Sequence, residues 1–226
     1  MSRIFGDGRP AFKLTNFTNF SNFSNFQTNM YLYGAGGHAK VIIDILKSQG
    51  KELSWFIDDN ELITEILGYK VFHHQTNLSP FIVSIGNNKW RKEIVSQLTD
   101  AKFETAVHSS AIISDNSKIE EGTVVMQGSI IQSGAVIGKH CIINTGASVD
   151  HDCRLGDFVH MSPRATLCGI VTIGEGSLIG AGAVVLNGIT VGKWCVIGAG
   201  SVVTKDIPDY AVAVGVPCKV IKKNEV

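Results

Sequence analysis

Three ionisable residues stand side by side near the middle of the chain: Asp150, His151 and Asp152. An imidazole titrates near neutral pH and can take a proton from an incoming nucleophile, while an adjacent carboxylate can hold its tautomer and raise its basicity. The side chains of adjacent residues often point in different directions, so only one of the two carboxylates is expected to reach the imidazole ring. We predict that His151 is a general base with Asp152 as its partner. The alternative is a histidine that stands at a corner exposed to water.

Asn144, followed by Thr145, precedes this triplet, and His160 follows it. The repeating pattern around them does not require either residue type, so both are candidates for contact with the reactants.

The segment that must position these residues is periodic. Every sixth residue from Ile113 to Val203 is Ile, Leu, Val or Met, and the residue four positions later is usually small. Such a period fits a chain that turns a corner after each short strand, with the aliphatic side chain inside and glycine or a polar residue at the corner. Three hexads would close one triangular coil, which predicts about five coils. A β-sandwich would not keep one period for so long.

Composition excludes several classes of partner. Lysine plus arginine and aspartate plus glutamate number 20 each, so the net charge of zero gives no reason to expect a nucleic acid or an anionic membrane surface. No window resembles a membrane span or the apolar core of a signal peptide, and we expect a cytoplasmic protein. The five cysteines include no C-x-x-C pair, so no metal site is expected. Cys141, Cys153 and Cys195 occupy the small position of the repeat, where a thiol is a filler.

Residues 1–29 do not resemble a folded domain. Their Thr-Asn-Phe and Ser-Asn-Phe triplets offer neither a helical face nor a packed one. We interpret them as a disordered leader or as a start placed too far upstream of Met30; a phenylalanine-rich docking motif is the alternative.

The composition changes at Met30. A short strand at 31–33, a glycine turn, a helix ending near Gly50, a strand at 54–57, a strand at 81–85 and a helix from about Lys89 to Leu98 predict a βαβ domain. We place it at residues 30–107, with the periodic domain at 108–206. Residues 207–226 contain Pro208 and Pro217, which cannot join a strand ladder, so they are expected to fold back over the last coils.

The glycine turn predicts a phosphate site. Glycines allow close approach of the backbone, and the helix N-terminus offers free N–H groups. Gly36, Gly37 and His38 form the turn, and Asp58 and Asp59 follow the second strand. Although the pattern also fits a dinucleotide fingerprint, the domain has about half the size that NAD needs. A single nucleotide on a linked substrate is the better interpretation, and a turn without a ligand is the alternative.

Gly86, Asn87 and Asn88 follow the third strand at the edge where parallel sheets bind ligands. Asparagine side chains there can contact a base or a sugar, and Arg91 can meet a phosphate in a fork. The alternative for Arg91 is a solvated helix face.

The periodic segment resembles the left-handed β-helix of hexapeptide-repeat acyltransferases. Together with the motifs above and the ending Gly215-Val216-Pro217-Cys218-Lys219, residues 30–226 resemble sugar acetyltransferases related to sialic-acid O-acetyltransferases and UDP-4-amino-sugar N-acetyltransferases. Two departures from that family are Asp152, where some relatives carry glutamate, and Cys218, where alanine is common.

The resemblance implies a homotrimer that holds acetyl-CoA between subunits and binds a nucleotide sugar on its N-terminal domain. It implies that His151 is the general base, that Asp152 is its partner and that His160 contacts the thioester. Further implied contacts are those of Asn144 with the sugar and of Gly180, Ala181, Gly198 and Lys219 with the cofactor. The expected reaction is N-acetylation of a UDP-linked 4-amino sugar. O-acetylation of a sialic acid or related sugar, or a non-catalytic scaffold that binds a nucleotide sugar, are the alternatives.

Overall fold

The computed structural model describes residues 30–74 and 78–225. The predicted leader, residues 1–29, lies outside the described residues.

The N-terminal part is a small sheet with two helices. Its strands follow the order β3-β4-β2-β1-β5, with β1 parallel to both β2 and β5. The predicted βαβ order is confirmed, but the antiparallel hairpin of β3 and β4 has no counterpart among the predicted elements. The elements are β1 (Tyr31–Tyr33), α1 (Gly37–Ser48), β2 (Trp55–Ile57), β3 (Glu65–Ile66), β4 (Tyr69–Phe72), β5 (Phe81–Val83) and α2 (Asn88–Gln97).

Helix α1 joins this sheet to the rest of the molecule. Its apolar face, which includes Ile42 and Leu46, is buried. The same apolar cluster contains Val124, Met126 and Ile142 from the periodic segment. The two parts therefore share one apolar cluster, separate from the interior of the β-helix, and the N-terminal domain covers one face of the periodic segment.

The periodic segment is a parallel β-helix built from two-residue strands on three sheets. Strand β10 pairs with β7 and β13, so Ile131 lies between Ile113 and Val149, residues eighteen apart. Five such steps lead from Ile113 to Val203. The prediction of three hexads per coil and about five coils is confirmed.

The strands of this β-helix follow one another at six-residue spacing until β22. They are β6 (Ala106–Val107), β7 (Ile112–Ile113), β8 (Lys118–Ile119), β9 (Val124–Val125), β10 (Ile130–Ile131), β11 (Val136–Ile137), β12 (Ile142–Ile143), β13 (Ser148–Val149), β14 (Arg154–Leu155), β15 (His160–Met161), β16 (Thr166–Leu167), β17 (Thr172–Ile173), β18 (Leu178–Ile179), β19 (Val184–Val185), β20 (Thr190–Val191), β21 (Val196–Ile197), β22 (Val202–Val203), β23 (Ala211–Val214) and β24 (Lys219–Lys223).

The repeated aliphatic residues form the interior, as predicted. From Val125 to Val203 each has at most 4% of its surface exposed, and Cys141, Cys153 and Cys195 are fully buried beside them. Each such aliphatic side chain contributes on the order of 1.5–3 kcal/mol when it leaves water. Ile113 and Ile119 are only partly buried, since they lie in the first coil.

The prediction that glycine or a polar residue makes the corner is confirmed at most corners, but the glycines directly after the aliphatic residue do not make the turn. The left-handed backbone conformation that turns each corner lies two positions after those glycines. It recurs every six residues from Gly122 to Gly200 and includes non-glycine residues such as Trp194. Glycines directly after the aliphatic residue serve a different need: a Cβ at Gly156 would lie 2.8 Å from the backbone nitrogen of Glu175. They are small because successive coils approach closely there.

The end of the chain differs from the expectation in part. Strand β23 pairs in parallel with β21 and so adds one more rung to the ladder, despite the prolines nearby. Only β24 folds back, antiparallel to β23. The prolines are tolerated because Pro208 and Pro217 lie outside both strands.

Candidate active site

His151 lies at a corner of the β-helix with 51% of its side chain exposed. Its Nδ1 is 2.9 Å from Oδ2 of Asp152, whereas Asp150 accepts a hydrogen bond from the backbone N–H of His151 at 2.7 Å. An ionised carboxylate only accepts, so Nδ1 carries the proton and Nε2 keeps its lone pair. Asp152 is thus the carboxylate that meets the ring, and Nε2 is the basic atom.

The surroundings raise the pKa of His151 above its usual value. The hydrogen bond to Asp152 is the main cause, and the negative charges of Asp150 and Asp152 add to it. Both interactions stabilise the protonated ring. The imidazole is therefore a stronger base than a free histidine.

The residues predicted to contact the cofactor lie along a different edge of the β-helix. Successive coils, paired eighteen residues apart, place Asn144, Ser162, Gly180 and Gly198 one above another. A Cβ at Gly198 would meet the side chain of Val214, whose partner across the β23–β24 ladder is Lys219. We call this the Gly180 edge. Ala181 is exposed beside it.

His160 lies beside the Gly180 edge, under the N-terminal domain. Its Nε2 is 3.2 Å from Nδ2 of Asn144. Burial, then the positive charge of Arg91 and the proximity of His38, lower the pKa of His160 to about 3, while the backbone of Gly86 acts in the opposite direction. The structure thus brings together His38, Gly86, Asn144 and His160, all neutral at physiological pH.

The glycine turn leaves open space for a ligand. Gly36 is the N-cap of α1 and Gly37 its first residue, and no side chain caps this helix end. Both glycines are exposed, and a Cβ at either position would meet no atom within 4 Å. Uncapped N–H groups at a helix start are a suitable place for a phosphate.

Asp58 and Asp59 hold the turn from the second strand. Asp58 is buried and accepts hydrogen bonds from the backbone N–H groups of Ala35, at 2.7 Å, and Asn60, at 2.9 Å. Asp59 accepts from the hydroxyl of Tyr33, at 2.7 Å to one oxygen and 2.9 Å to the other. Part of the hydrogen-bonding capacity of both carboxylates therefore serves to shape the turn.

Arg91 requires a correction, because the structure fits neither a phosphate ligand nor a solvated helix face. Its side chain is 1% exposed. The guanidinium donates to the carbonyls of His140 and Phe158 in the β-helix and of Ile85 in its own domain. These bonds occupy all three of its nitrogens, so Arg91 ties the two domains together.

Asn88 has a similar structural role rather than a ligand contact. Its Oδ1 accepts from Arg91 at 2.9 Å, and its Nδ2 donates to the carbonyl of Gly176 at 3.0 Å. Asn87 is exposed and caps α2, with Oδ1 accepting from the N–H of Trp90. A helix cap of this kind is a common use of asparagine.

His140 was not among the residues predicted from the sequence. Its ring stacks on Phe158 with centroids 5.3 Å apart, and burial followed by the charge of Arg91 lowers its pKa to about 4. No sequence signal marks it, because its position in the repeat accepts many residue types.

Within the described residues, no helix has the length and apolar character needed to cross a membrane. The same residues contain no group of three or more histidine, cysteine or acidic side chains placed to hold a metal ion.

Two protein families match the chain. Residues 29–98 match the PglD N-terminal domain, and residues 170–205 match the bacterial transferase hexapeptide repeat.

Solved structures of similar chains include PerB from Caulobacter crescentus in complex with CoA and GDP-perosamine. It is 37% identical, with a TM-score of 0.82 over 86% of this chain and 98% of that one. A histidine-to-asparagine mutant of that perosamine N-acetyltransferase has the same identity and TM-score. The acetyltransferase domain of PglB from Neisseria gonorrhoeae, in complex with acetyl coenzyme A, is 34% identical over 85% of this chain and 98% of that one, with a TM-score of 0.80.

Two curated proteins are similar as well. GDP-perosamine N-acetyltransferase from Escherichia coli O157:H7 is 29% identical over 71% of this chain and 79% of its own length. UDP-N-acetylbacillosamine N-acetyltransferase from Bacillus subtilis is 40% identical over 42% of this chain and 50% of its own length.

Proposed function

The chain belongs to the sugar acetyltransferases that join a PglD-type N-terminal domain to hexapeptide repeats, and from this premise we propose that it acetylates the amine of a nucleotide-linked amino sugar. It is an acetyl-CoA-dependent enzyme of this family. An amine acceptor is favoured over a hydroxyl because the similar proteins with named reactions are N-acetyltransferases. Their substrates carry GDP in one case and UDP in another, so the uridine expected from the sequence remains a prediction.

The observation that carries the proposal is the pairing at the His151 corner. Nδ1 is bound to Asp152, which leaves Nε2 as the basic atom of a half-exposed ring. Acetyl-CoA supplies an acetyl group activated as a thioester. Nε2 of His151 takes a proton from the sugar amine as its nitrogen forms the new bond to the acetyl carbon. Asp152 keeps the ring in the required tautomer and stabilises its positive charge, and the imidazolium can return the proton to the departing thiolate sulfur.

We propose that the complete site lies between two copies of the chain. His151 and Asp152 stand on one edge of the β-helix, and the predicted cofactor residues His160, Gly180, Ala181, Gly198 and Lys219 stand on or beside another. A homotrimer, the assembly implied by the family resemblance, would set the His151 edge of one copy beside the Gly180 edge of the next.

The nucleotide belongs at the glycine turn in this proposal. A phosphate would bind the free N–H groups at the start of α1, next to Gly36 and Gly37. His38 lies between this turn and His160, so a sugar attached to the phosphate would extend toward Asn144 and the β-helix. Asp58, Asp59, Gly86 and Asn87 would border the nucleotide.

A thiol-release assay with acetyl-CoA tests the proposal. The acceptors are a panel of UDP- and GDP-linked amino sugars together with free sialic acid. We expect turnover with a nucleotide-linked amine and competition against it, but not against acetyl-CoA, by one of the free nucleotides UDP or GDP. If sialic acid were the only acceptor turned over, both the proposed amine acceptor and the proposed nucleotide-linked substrate would be contradicted.

Gly36→Val sharpens this test. The space around Gly36 is empty in the protein and its φ of −88° suits any residue, so the variant should fold normally. We expect a roughly tenfold or larger increase in KM for the nucleotide sugar, because the side chain blocks the approach of the phosphate, and an unchanged KM for acetyl-CoA. If Gly36→Val and the parent had equal KM values for the nucleotide sugar, binding of the nucleotide at this turn would be contradicted.

A further inference from the structure

Gly169 stands out among the corner residues of the β-helix. It occupies the second residue after the repeated aliphatic one, which is also the position of His151. Thirteen of the fourteen residues at this position from 121 to 199 carry a side chain, and Gly169 is the exception. The others are Glu121, Gln127, Ser133, Lys139, Thr145, His151, Asp157, Pro163, Glu175, Ala181, Asn187, Lys193 and Ala199. The fold of the corner therefore does not demand glycine there.

The backbone of Gly169 does not demand glycine either. Its φ lies outside the left-handed region, unlike that of the next residue, Ile170. A side chain there would collide with His151, one coil earlier: a Cβ at Gly169 would lie 2.5 Å from Nε2 and 2.6 Å from Cε1 of that ring, and 3.2 Å from Nδ2 of Asn187, one coil later. The imidazole thus rests where the side chain of residue 169 would be.

Gly134 has the matching relation to Asp152. It lies one coil before Asp152, and a Cβ on it would collide with Oδ1 of that carboxylate. Gly134 has left-handed backbone with φ +75°, but so does Gly128 at the preceding corner, with φ +65°, and a Cβ on Gly128 would meet nothing within 4 Å. The two corners differ in what fills the space rather than in backbone conformation.

We propose that Gly169 and Gly134 are positioning residues. Because they lack side chains, they leave the space that His151 and Asp152 occupy in their paired arrangement, and we call this space the seat. This inference rests on the proposed role of His151 as the base. Half of the His151 side chain is exposed, so a methyl group at position 169 would swing the ring outward rather than unfold the coil. The reactive Nε2 would then leave its place.

Gly169→Ala tests the first half of the seat. We expect kcat to fall by about 10- to 100-fold, because a displacement of the order of 1 Å has such effects on a reacting group. The KM for acetyl-CoA should stay within about twofold, and the melting temperature within about 2 °C. In a His151→Ala background the same substitution should change the residual kcat by less than about twofold, because there is no ring to displace.

Gly134→Ala, with Gly128→Ala as its control, tests the second half. Both variants carry the same left-handed strain, but only the first pushes against Asp152. Loss of the Asp152 hydrogen bond lowers the pKa of His151. The acidic limb of the pH profile of kcat/KM should therefore move to lower pH in Gly134→Ala and stay in place in Gly128→Ala. An NMR titration of labelled histidine should show a lowered pKa of His151 in Gly134→Ala and the parent's pKa in Gly128→Ala.

The outcomes separate the seat from the base. Near-normal turnover of His151→Ala would overturn the proposed role of His151 as the base, and the seat with it, but not the acetyl transfer itself. An inactive His151→Ala together with a fully active Gly169→Ala would overturn only the seat. Equal losses from Gly169→Ala in both backgrounds would show that the methyl group blocks the substrate directly, which also contradicts a positioning role. Identical pH profiles for Gly134→Ala and Gly128→Ala would contradict the contribution of Gly134.

Discussion

The corner that carries His151 and the junction between the two domains use the same side chain in opposite ways. At the corner, a half-exposed imidazole pairs with a carboxylate and its pKa is raised. At the junction, burial and the charge of Arg91 lower the pKa of His38 and His140 to about 4 and that of His160 to about 3. Solvent access and the sign of the nearest charge decide which histidine can accept a proton at neutral pH.

The junction histidines are consequently fixed neutral groups. A buried imidazole beside a guanidinium gains nothing from a second positive charge. Such a ring can hydrogen bond to a ligand or pack against a neighbour, but it makes a poor base above pH 5. His160 can thus contact a substrate without competing for its proton, which leaves that step to His151.

The largest expected effect that tests this contrast comes from His151→Ala. Removal of a general base typically lowers the rate about 10²- to 10⁴-fold. The melting temperature should hardly change, because the side chain is half exposed. Steady-state kinetics and calorimetry measure the two effects, with His108→Ala, at a corner outside the proposed site, as the control. A variant that keeps the parent's turnover would remove His151 from the mechanism.

Arg91→Ala should show the reverse pattern. It leaves buried carbonyls of His140, Phe158 and Ile85 without a donor. Hydrogen bonds to charged groups contribute about 1.5–3 kcal/mol each, but removal of the buried guanidinium also removes its desolvation cost. We therefore expect a net loss of roughly 2–4 kcal/mol in the free energy of unfolding, less than the sum of the three bonds, and a fall in melting temperature on the order of 10 °C.

Lys92→Ala is the matched control for Arg91. Lys92 is the next residue of α2 and forms a surface ion pair with Glu175, so its loss should cost at most about 1 kcal/mol. If Arg91→Ala kept its stability and instead raised the KM for the nucleotide sugar, the phosphate role predicted from the sequence would be restored.

Asp152→Asn should have the most specific effect, because it acts on the protonation of His151. The carboxylate raises the pKa of His151 chiefly through its hydrogen bond, and an amide cannot stabilise the protonated ring in this way. The pKa of His151 therefore falls, and the acidic limb of the kcat/KM profile moves to lower pH. A pH profile identical to that of the parent would show that the pair seen in the structure does not operate during catalysis.

The β-helix could be predicted in detail because one period recurs without interruption. Each hexad repeats the same local requirement, so interior residues such as Val149 and Cys153 followed directly from their positions. The corners were less predictable. Glycines stand at two positions of the hexad for different reasons, and only the structure separates the left-handed turn at Gly134 from the close coil contact at Gly156.

Sequence by itself determined most of the elements, the period and the pairing at His151, because each depends on residues that are near in the chain or related by a constant step. Tertiary structure alone decided the role of Arg91 and Asn88, since the β-helix carbonyls that they bind belong to residues 49 to 89 positions away. It also decided the contact between Gly169 and His151. No spacing in the chain reveals that contact until three strands have closed a coil and brought residues eighteen apart into register.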